Sequence, residues 1–172
     1  MFEDEARFGR MSDPVRCWAP SGCRPEVPTH RVREYPHVFG SVSPHKGELI
    51  SRILPHADTA AMSLYLAEVS RRHPDEHSLM FLDRAGGHRA QALVRPENLT
   101  LDWLPAYSPQ GNPQELGWRD MRRQPFGNHN YDSMDAVEDA LERRLHQLES
   151  CPAPIQSPTG FDWIVTVRLH AK

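Results

Sequence analysis

Residues 104–118 read Leu-Pro-Ala-Tyr-Ser-Pro-Gln-Gly-Asn-Pro-Gln-Glu-Leu-Gly-Trp, a loop punctuated by prolines that runs directly into a predicted helix. Asn112 is a favourable N-cap residue, and Pro113 suits the first helical position because no amide hydrogen is required there. Glu115 then falls at the third helical position, so its carboxylate is held near the helix start. The same spacing fits a capping box, in which Glu115 would only accept a hydrogen bond from the Asn112 backbone amide. The spacing alone leaves both interpretations open.

Two further acids lie on other predicted elements. Asp83 directly follows the apolar run at residues 79–82, which is typical of a buried strand. Residues 2–8 alternate with the period of a half-buried strand, and Asp4 falls on the apolar side. An ionised carboxylate there is costly unless it is paired or bound to a metal ion, whereas a frayed chain start would leave Asp4 simply exposed. Three acids on separate elements make a metal site a reasonable hypothesis.

Three motifs resemble the catalytic domain of the DDE transposases, specifically the bacterial insertion-sequence branch of the mariner superfamily. The first two are Asp4-Glu5-Ala6-Arg7-Phe8-Gly9 and Leu82-Asp83-Arg84-Ala85-Gly86-Gly87-His88. The third is the loop and helix start at residues 104–118, with its Leu-Pro-x-Tyr-Ser-Pro loop, its Asn-Pro-x-Glu helix start and a Trp three residues on. The resemblance extends over about residues 2–125.

The resemblance implies a ribonuclease H-like α/β fold, in which a mixed five-stranded sheet carries helices on both faces. It also implies that Asp4, Asp83 and Glu115 are the catalytic residues and the ligands of two Mg²⁺ or Mn²⁺ ions, which prefer carboxylate oxygens. The implied activity is metal-dependent cleavage and transfer of DNA strands at insertion-sequence ends. The implied partner is DNA, both the transposon ends and the target, on which the chain would form a homodimer.

Two residues of the motif that contains Asp83 bear on activity. Arg84 stands where the family usually has Asn, so a cation beside Asp83 would either pair with that acid or bind phosphate. His88 matches a family His, and a structural hydrogen bond is as good an explanation for it as a contact with DNA.

The expected domain organisation follows from the same resemblance. Family members carry helix-turn-helix domains before the catalytic core, so we expect residues 1–150 to be an N-terminally truncated catalytic domain, and residues 151–172 to be a Pro-rich linker and C-terminal tail. A helix-turn-helix protein from an upstream reading frame would then be a partner. The alternative is a non-catalytic remnant that binds DNA or an intact transposase.

The composition of the chain excludes some classes of protein and of metal site. The chain has 172 residues and a net charge of −3, without an apolar run of the roughly 20 residues that a membrane helix needs. We therefore expect a soluble, cytoplasmic protein without a membrane partner. The three cysteines lack a Cys-x-x-Cys spacing, which argues against a structural zinc site.

Arginine supplies nearly all of the positive charge, and its planar guanidinium suits phosphate. Arg119, Arg122 and Arg123 continue the predicted helix of Glu115, and we interpret them as DNA-binding residues along with His88. The pairs at residues 71–72 and 143–144 are better explained as solvated helix faces.

Periodicity and turn signals predict the remaining elements. They are a hairpin of strands at 37–42 and 48–54, a helix from 58 or 59 to 72, strands at 78–82 and 99–104, and helices at 89–94 and 133–148. Residues 18–22 are expected to form a turn between two short strands, and the end of residues 161–169 an edge strand or assembly arm.

Overall fold

A computed structural model describes residues 1–10, 14–26, 32–83, 90–106, 108–161 and 164. Within these residues, five strands form one sheet in the order β3-β2-β1-β4-β5. The strands are β1 (Phe2–Arg7), β2 (His37–Ser43), β3 (Glu48–Leu54), β4 (Ser78–Leu82) and β5 (Leu99–Trp103). The helices are α1 (Thr59–Arg72), α2 (Gln114–Arg123), α3 (Met134–Glu149) and α4 (Ala153–Thr159).

The sheet is mixed, as predicted. β2 and β3 form an antiparallel hairpin, and β1 pairs with β2 antiparallel from Phe2↔Val42 to Arg7↔His37. On its other side β1 runs parallel to β4, and β4 runs parallel to β5. β1 therefore lies in the middle of the sheet, where both of its faces can be covered.

Helix α1 covers one face of the sheet. Asp58 caps it by accepting a hydrogen bond from the backbone amide of Ala61, the capping geometry predicted from the sequence. Its buried side chains Met62, Leu66 and Val69 form a core cluster with residues of β2, β3, β4 and β5.

The opposite face is covered by α2, α3 and α4. Trp118 of α2 is 1% exposed and joins a core cluster with Val137 and Leu141 of α3 and Ile155 of α4. Helices on both faces of the sheet are thus confirmed. Residues 151–160 are not the linker-like segment that their prolines predicted, because α4 buries Ile155 and Thr159 there.

Two other local predictions are wrong. Residues 90–94 form a turn rather than part of a helix, with the backbone amide of Leu93 bonded to the carbonyl of Ala90. Residues 14–26 contain no strand, although a turn does occur at Ser21 and Gly22. The start of the predicted helix, Arg89, lies outside the described residues, as do residues 162–163 and 165–172 of the predicted tail.

None of the helices in the described part of the chain is long and apolar enough to cross a lipid bilayer. The three cysteines, Cys17, Cys23 and Cys151, are exposed free thiols.

A carboxylate protects the outer edge of the sheet at β3. Glu149 of α3 accepts a hydrogen bond at 2.9 Å from the backbone amide of Ser51 and another from the Ser51 hydroxyl. The second carboxylate oxygen of Glu149 pairs with Arg72 of α1 at 3.3 Å. The Glu149 side chain therefore connects the edge strand to helices on both faces. It also accepts a hydrogen bond from the Ser51 amide, which could otherwise pair with another strand.

We expect Glu149→Ala to lower the free energy of unfolding by about 1–3 kcal/mol, because it removes charge-assisted bonds and leaves the Ser51 amide without this acceptor. Urea denaturation measures the effect, with Glu138→Ala as the control, since Glu138 is an exposed acid on the same helix. Equal stabilities for the two variants would contradict this role of Glu149.

Candidate functional site

Asp4 lies on the face of the sheet that α2 covers. It pairs with Gly40 of β2, and directly opposed residues on antiparallel strands point to the same face. A Cβ atom at Gly40 would lie 2.5 Å from Cη2 of Trp118, so α2 sits directly against this part of the sheet. Glu115 lies in the first turn of α2.

Asp83 is the residue that follows β4. The parallel register Phe2↔Phe81 brings residue 83 level with residue 4, and the Phe2 and Phe81 rings stack with their centroids 5.3 Å apart. Asp83 is exposed, at the carboxyl end of its strand, where ligand sites in such sheets are commonly found.

The electrostatics of Asp4 reflect these neighbours. Burial, followed in order of size by the negative charges of Glu115, Glu5 and Asp83, raises the pKa of the Asp4 carboxyl from 3.8 to about 8. A hydrogen bond with the backbone of Glu5 acts in the opposite direction. Asp4 is therefore mostly protonated at neutral pH when no cation is present to balance the surrounding charge.

The loop before α2 is fixed to the central strand by Asn112. Its side-chain amide donates to the Glu3 carbonyl at 2.8 Å, and its side-chain oxygen accepts from the Gln114 amide at 3.1 Å. The Asn112 backbone amide instead donates to Pro109 in a short 3₁₀ helix, Pro109–Gly111, which excludes the capping box with Glu115.

The helix start itself differs by one residue from the prediction. Pro113 is the residue before the first helical position, and Gln114 begins α2, so Glu115 is second rather than third. Asn112 is correspondingly not the N-cap residue, although its side chain still binds a first-turn amide. The first turn is wound in the 3₁₀ manner, because the amides of Glu115 and Leu116 donate to the carbonyls three residues back, of Asn112 and Pro113.

The donor chemistry of Asp4, Asp83 and Glu115 suits a hard divalent cation. Carboxylates whose mutual repulsion keeps one of them protonated are stabilised in the ionised form by such an ion. Among the described residues, no three His, Cys, Asp or Glu side chains are arranged as a ready metal-binding group. Side chains reorient when an ion binds, whereas the strand register that brings Asp83 level with Asp4 does not change.

The predicted DNA-binding arginines lie on the surface beside this face. Arg119, Arg122 and Arg123 are all exposed on α2, and the guanidinium of Arg122 lies over the ring of Phe8 at 5.8 Å from its centroid. Phe8 directly follows β1, so Arg122 lies beyond the end of the strand that carries Asp4. His88, the fourth predicted DNA contact, and Arg84 lie outside the described residues.

Glu3 is a residue whose environment the sequence did not reveal. The strand period places it on the face opposite Asp4, which was expected to be solvated, yet its exposed fraction is 0%. Its negative charge contributes to raising the pKa of buried Tyr65 on α1, after burial itself. On the same face, the Tyr65 hydroxyl of α1 is buried in a hydrogen bond with Ser41. The burial of Glu3 could be predicted from the sequence only if it were known that α1 packs on this face.

Comparisons with known proteins agree with this architecture. Residues 1–138 match the model of the DDE superfamily endonucleases. An uncharacterized protein of Sinorhizobium fredii, y4pE/y4sA, is 38% identical over 128 residues, which are 74% of this chain and 95% of that protein.

Solved transposase structures share the fold. The Mos1 transposase in a paired-end complex with the left transposon end superposes with a TM-score of 0.62 at 16% identity, covering 93% of this chain and 55% of that one. The Mos1 mariner paired-end complex with Mn gives a TM-score of 0.58 at 16% identity, with the same coverage of 93% and 55%. The chain thus spans about half the length of the Mos1 transposase, and the ribonuclease H-like fold is confirmed. By the match over residues 1–138, the chain belongs to the DDE superfamily endonucleases.

Proposed function

We propose that this chain is a transposase catalytic domain that cleaves and transfers DNA strands at insertion-sequence ends. Asp4, Asp83 and Glu115 would hold two Mg²⁺ or Mn²⁺ ions. The observation that supports this assignment best is the electrostatic grouping of Asp4 with Glu115 and Asp83, on the sheet face below α2. Membership of the endonuclease family and the Mn-bound Mos1 relative point to the same chemistry.

The side chains would divide the work according to their positions. When bound, the ions supply an activated nucleophile, either water or a DNA 3′-hydroxyl, and neutralise the charge that develops on the phosphodiester. Asp4 is half-buried and is held in place by the central strand. Glu115 is kept near it by the packing of Trp118 against Gly40. Arg119, Arg122 and Arg123 bind backbone phosphates and orient the DNA strand.

A non-catalytic remnant that binds DNA or an intact transposase is the second candidate. It is favoured by one observation: within the described residues, the acids are not arranged as a ready metal-binding group. A helix-turn-helix protein from an upstream frame and a homodimer assembled on DNA belong to the first candidate, since both would supply the recognition of transposon ends.

Nicking of supercoiled plasmid DNA in Mn²⁺ distinguishes the two candidates. We expect the wild-type chain to nick, and Asp83→Ala and Glu115→Ala each to reduce the rate at least about a hundredfold, because each removes a metal ligand. The matched control is Asp102→Ala, an exposed acid on β5. Metal-dependent nicking that persists in Glu115→Ala would overturn the site assignment, and a wild-type chain that binds DNA without nicking it would favour the remnant.

A further inference from the structure

A concave surface lies between residues 124–131 and α3, outside the acid site. It has a volume of about 420 Å³, and its polar lining consists of Gln124, His129, Tyr131, Arg143, Arg144 and Gln147. We call it the α3 pocket. The sequence alone had favoured a solvated helix face for Arg143 and Arg144, whereas in the structure both line this concavity.

The α3 pocket is positively charged. It is lined by two arginines and by no carboxylate within the described residues. Arg144 pairs with Asp120 at 2.7 Å, but its Nε atom is buried and has no acceptor in the part of the chain that the structure describes. Arg143 is exposed, and no described carboxylate forms an ion pair with it.

Aromatic rings and polar side chains complete the lining. The His129 ring meets the Tyr131 ring edge-on, with centroids 4.5 Å apart. Tyr131 and Arg143 line the same concavity; burial raises the pKa of Tyr131, and the positive charge of Arg143 opposes that shift. Guanidinium, imidazole and amide groups gathered around one concavity are donors suited to a phosphate group.

A row of aromatic contacts runs from the pocket to Phe8, just beyond the strand that carries Asp4. Tyr131 packs on Phe126 at 5.2 Å, and Phe126 packs on Phe8 at 5.0 Å. Phe8 is four residues beyond Asp4 on an extended chain, or about 13 Å away. Successive nucleotides rise about 3.4 Å along one strand of a duplex, so the pocket lies roughly four to seven nucleotides from the acids. Arg122, over the Phe8 ring, lies between them.

A second concave surface with arginines does not share these properties. The cavity beside β3 contains Arg52 and Arg72, but Glu142 and Glu149 line it as well, and Glu68 pairs with both arginines. Its charges are already balanced within the protein. The α3 pocket is the better phosphate site because no described carboxylate lines it and Arg143 has no ion-pair partner among the described residues, although Arg144 pairs with Asp120.

We propose that the α3 pocket binds a backbone phosphate of the DNA strand as that strand leaves the acid site. This inference rests on the proposed function, and it adds a second point of attachment that would fix the direction of the strand across α2 and the end of β1. Arg143 is the principal contact, and His129, Gln124 and Gln147 complete the set of donors.

Fluorescence anisotropy with a labelled 30-base-pair duplex tests the proposal over a series of KCl concentrations. Arg143→Ala is expected to weaken binding about three- to tenfold and to reduce the slope of log affinity against log salt by about one, as for the loss of one phosphate contact. Arg143→Glu should weaken binding further. The matched control is Arg95→Ala, an exposed arginine before β5 that should leave affinity and slope unchanged.

Two outcomes separate this proposal from the proposed function. If Arg143→Ala and Arg95→Ala bind DNA with the same affinity and salt slope, while the wild-type chain still nicks DNA in Mn²⁺, the α3 pocket is not a DNA contact and the active-site assignment stands. If the wild-type chain neither binds DNA nor nicks it in Mn²⁺, the proposed function fails and this proposal fails with it.

Discussion

Mn²⁺ binding is expected to strengthen about tenfold for each unit of pH between roughly pH 6 and 8, and to level off above that range. The cause is the pKa of Asp4, which burial and neighbouring negative charges raise to about 8. An ion can be held only by the ionised carboxylate, so each binding event below pH 8 releases the Asp4 proton. The released proton makes the apparent affinity follow pH with a slope of about one.

The same pKa makes the metal-free chain less stable as the pH rises. The carboxyl of Asp4 has an unperturbed pKa of 3.8 and a pKa of about 8 in the folded chain. Between pH 3.8 and about pH 8, folding therefore binds a proton at Asp4, and the free energy of unfolding falls as the pH rises. Above about pH 8 the destabilisation by Asp4 is complete. Asp4→Asn removes the charge and should stabilise the metal-free protein at pH 8 by about 3–5 kcal/mol.

Isothermal titration calorimetry with Mn²⁺ at pH 6, 7 and 8 checks the first expectation, and urea denaturation of the metal-free protein checks the second. In Asp4→Asn, the Mn²⁺ affinity should be low and should no longer depend on pH, and the stability of the metal-free protein should lose the pH dependence that Asp4 causes. Asp102→Asn, on the exposed side of β5, is the control and should behave as the wild type. A Mn²⁺ affinity that stays constant from pH 6 to 8 would contradict the role assigned to Asp4.

Gly40→Ala is expected to lower the free energy of unfolding by about 2–3 kcal/mol and to weaken Mn²⁺ binding at least about tenfold. The added Cβ atom would lie 2.5 Å from Cη2 and 2.8 Å from Cζ2 of Trp118, and 2.8 Å from Nε2 of Gln114. Trp118 and Gln114 are 1% and 2% exposed, so neither side chain has room to withdraw. The methyl group would therefore push α2, and Glu115 with it, away from Asp4.

Gly111→Ala is the matched control, because no heavy atom lies within 4 Å of the Cβ position there, in the same loop region that leads to α2. Thermal denaturation and Mn²⁺ titration of both variants measure the effect. Since phenylalanine is smaller than tryptophan, Gly40→Ala combined with Trp118→Phe should recover part of the lost affinity. Equal melting temperatures for Gly40→Ala and Gly111→Ala would show that α2 does not depend on this close contact.

Short sequence patterns predicted the helices and strands whose ends are fixed by capping residues or by a turn. Asp58 and Ser133 both accept hydrogen bonds from the first turns of their helices, as capping residues do, and these helices begin where the sequence indicated. The hairpin of β2 and β3 forms around Gly47, whose φ of 66° is a conformation that glycine adopts easily. The apolar run before Asp83 forms the interior strand β4.

Tertiary packing decided the elements that were missed. Pro152, Pro154 and Pro158 suggested a linker. Pro152 and Pro154 lie at the start of α4, where proline is tolerated, and burial of Ile155 stabilises the helix although Pro158 lies inside it. Glu3 falls on the polar side of a strand that was predicted to be half-buried, yet it is buried in the structure. Strand alternation shows that the two faces differ, but it does not show what covers each face.

The candidate site was predicted through the family resemblance rather than through pattern alone. Spacing could not separate a capping role for Glu115 from a ligand role, and the bond between the Asn112 amide and Pro109 now excludes the former. The shared metal site of Asp4, Asp83 and Glu115 stays a prediction. The sequence indicated that an ionised Asp4 would be costly on the apolar side of its strand, but it did not contain the charges of Glu115 and Asp83 beside Asp4, since these depend on elements far apart in the chain.

Asn112 has a consequence for the choice of ion. Its amide joins the backbone of the strand that carries Asp4 to the first turn of the helix that carries Glu115. The backbone positions that carry these two carboxylates are therefore expected to keep a nearly constant separation. Because Mg²⁺ demands short, regular coordination whereas Ca²⁺ accepts a looser shell, a pair of donors at constant spacing discriminates between ions by size. Asn112 would thus contribute to metal selectivity without contacting the metal.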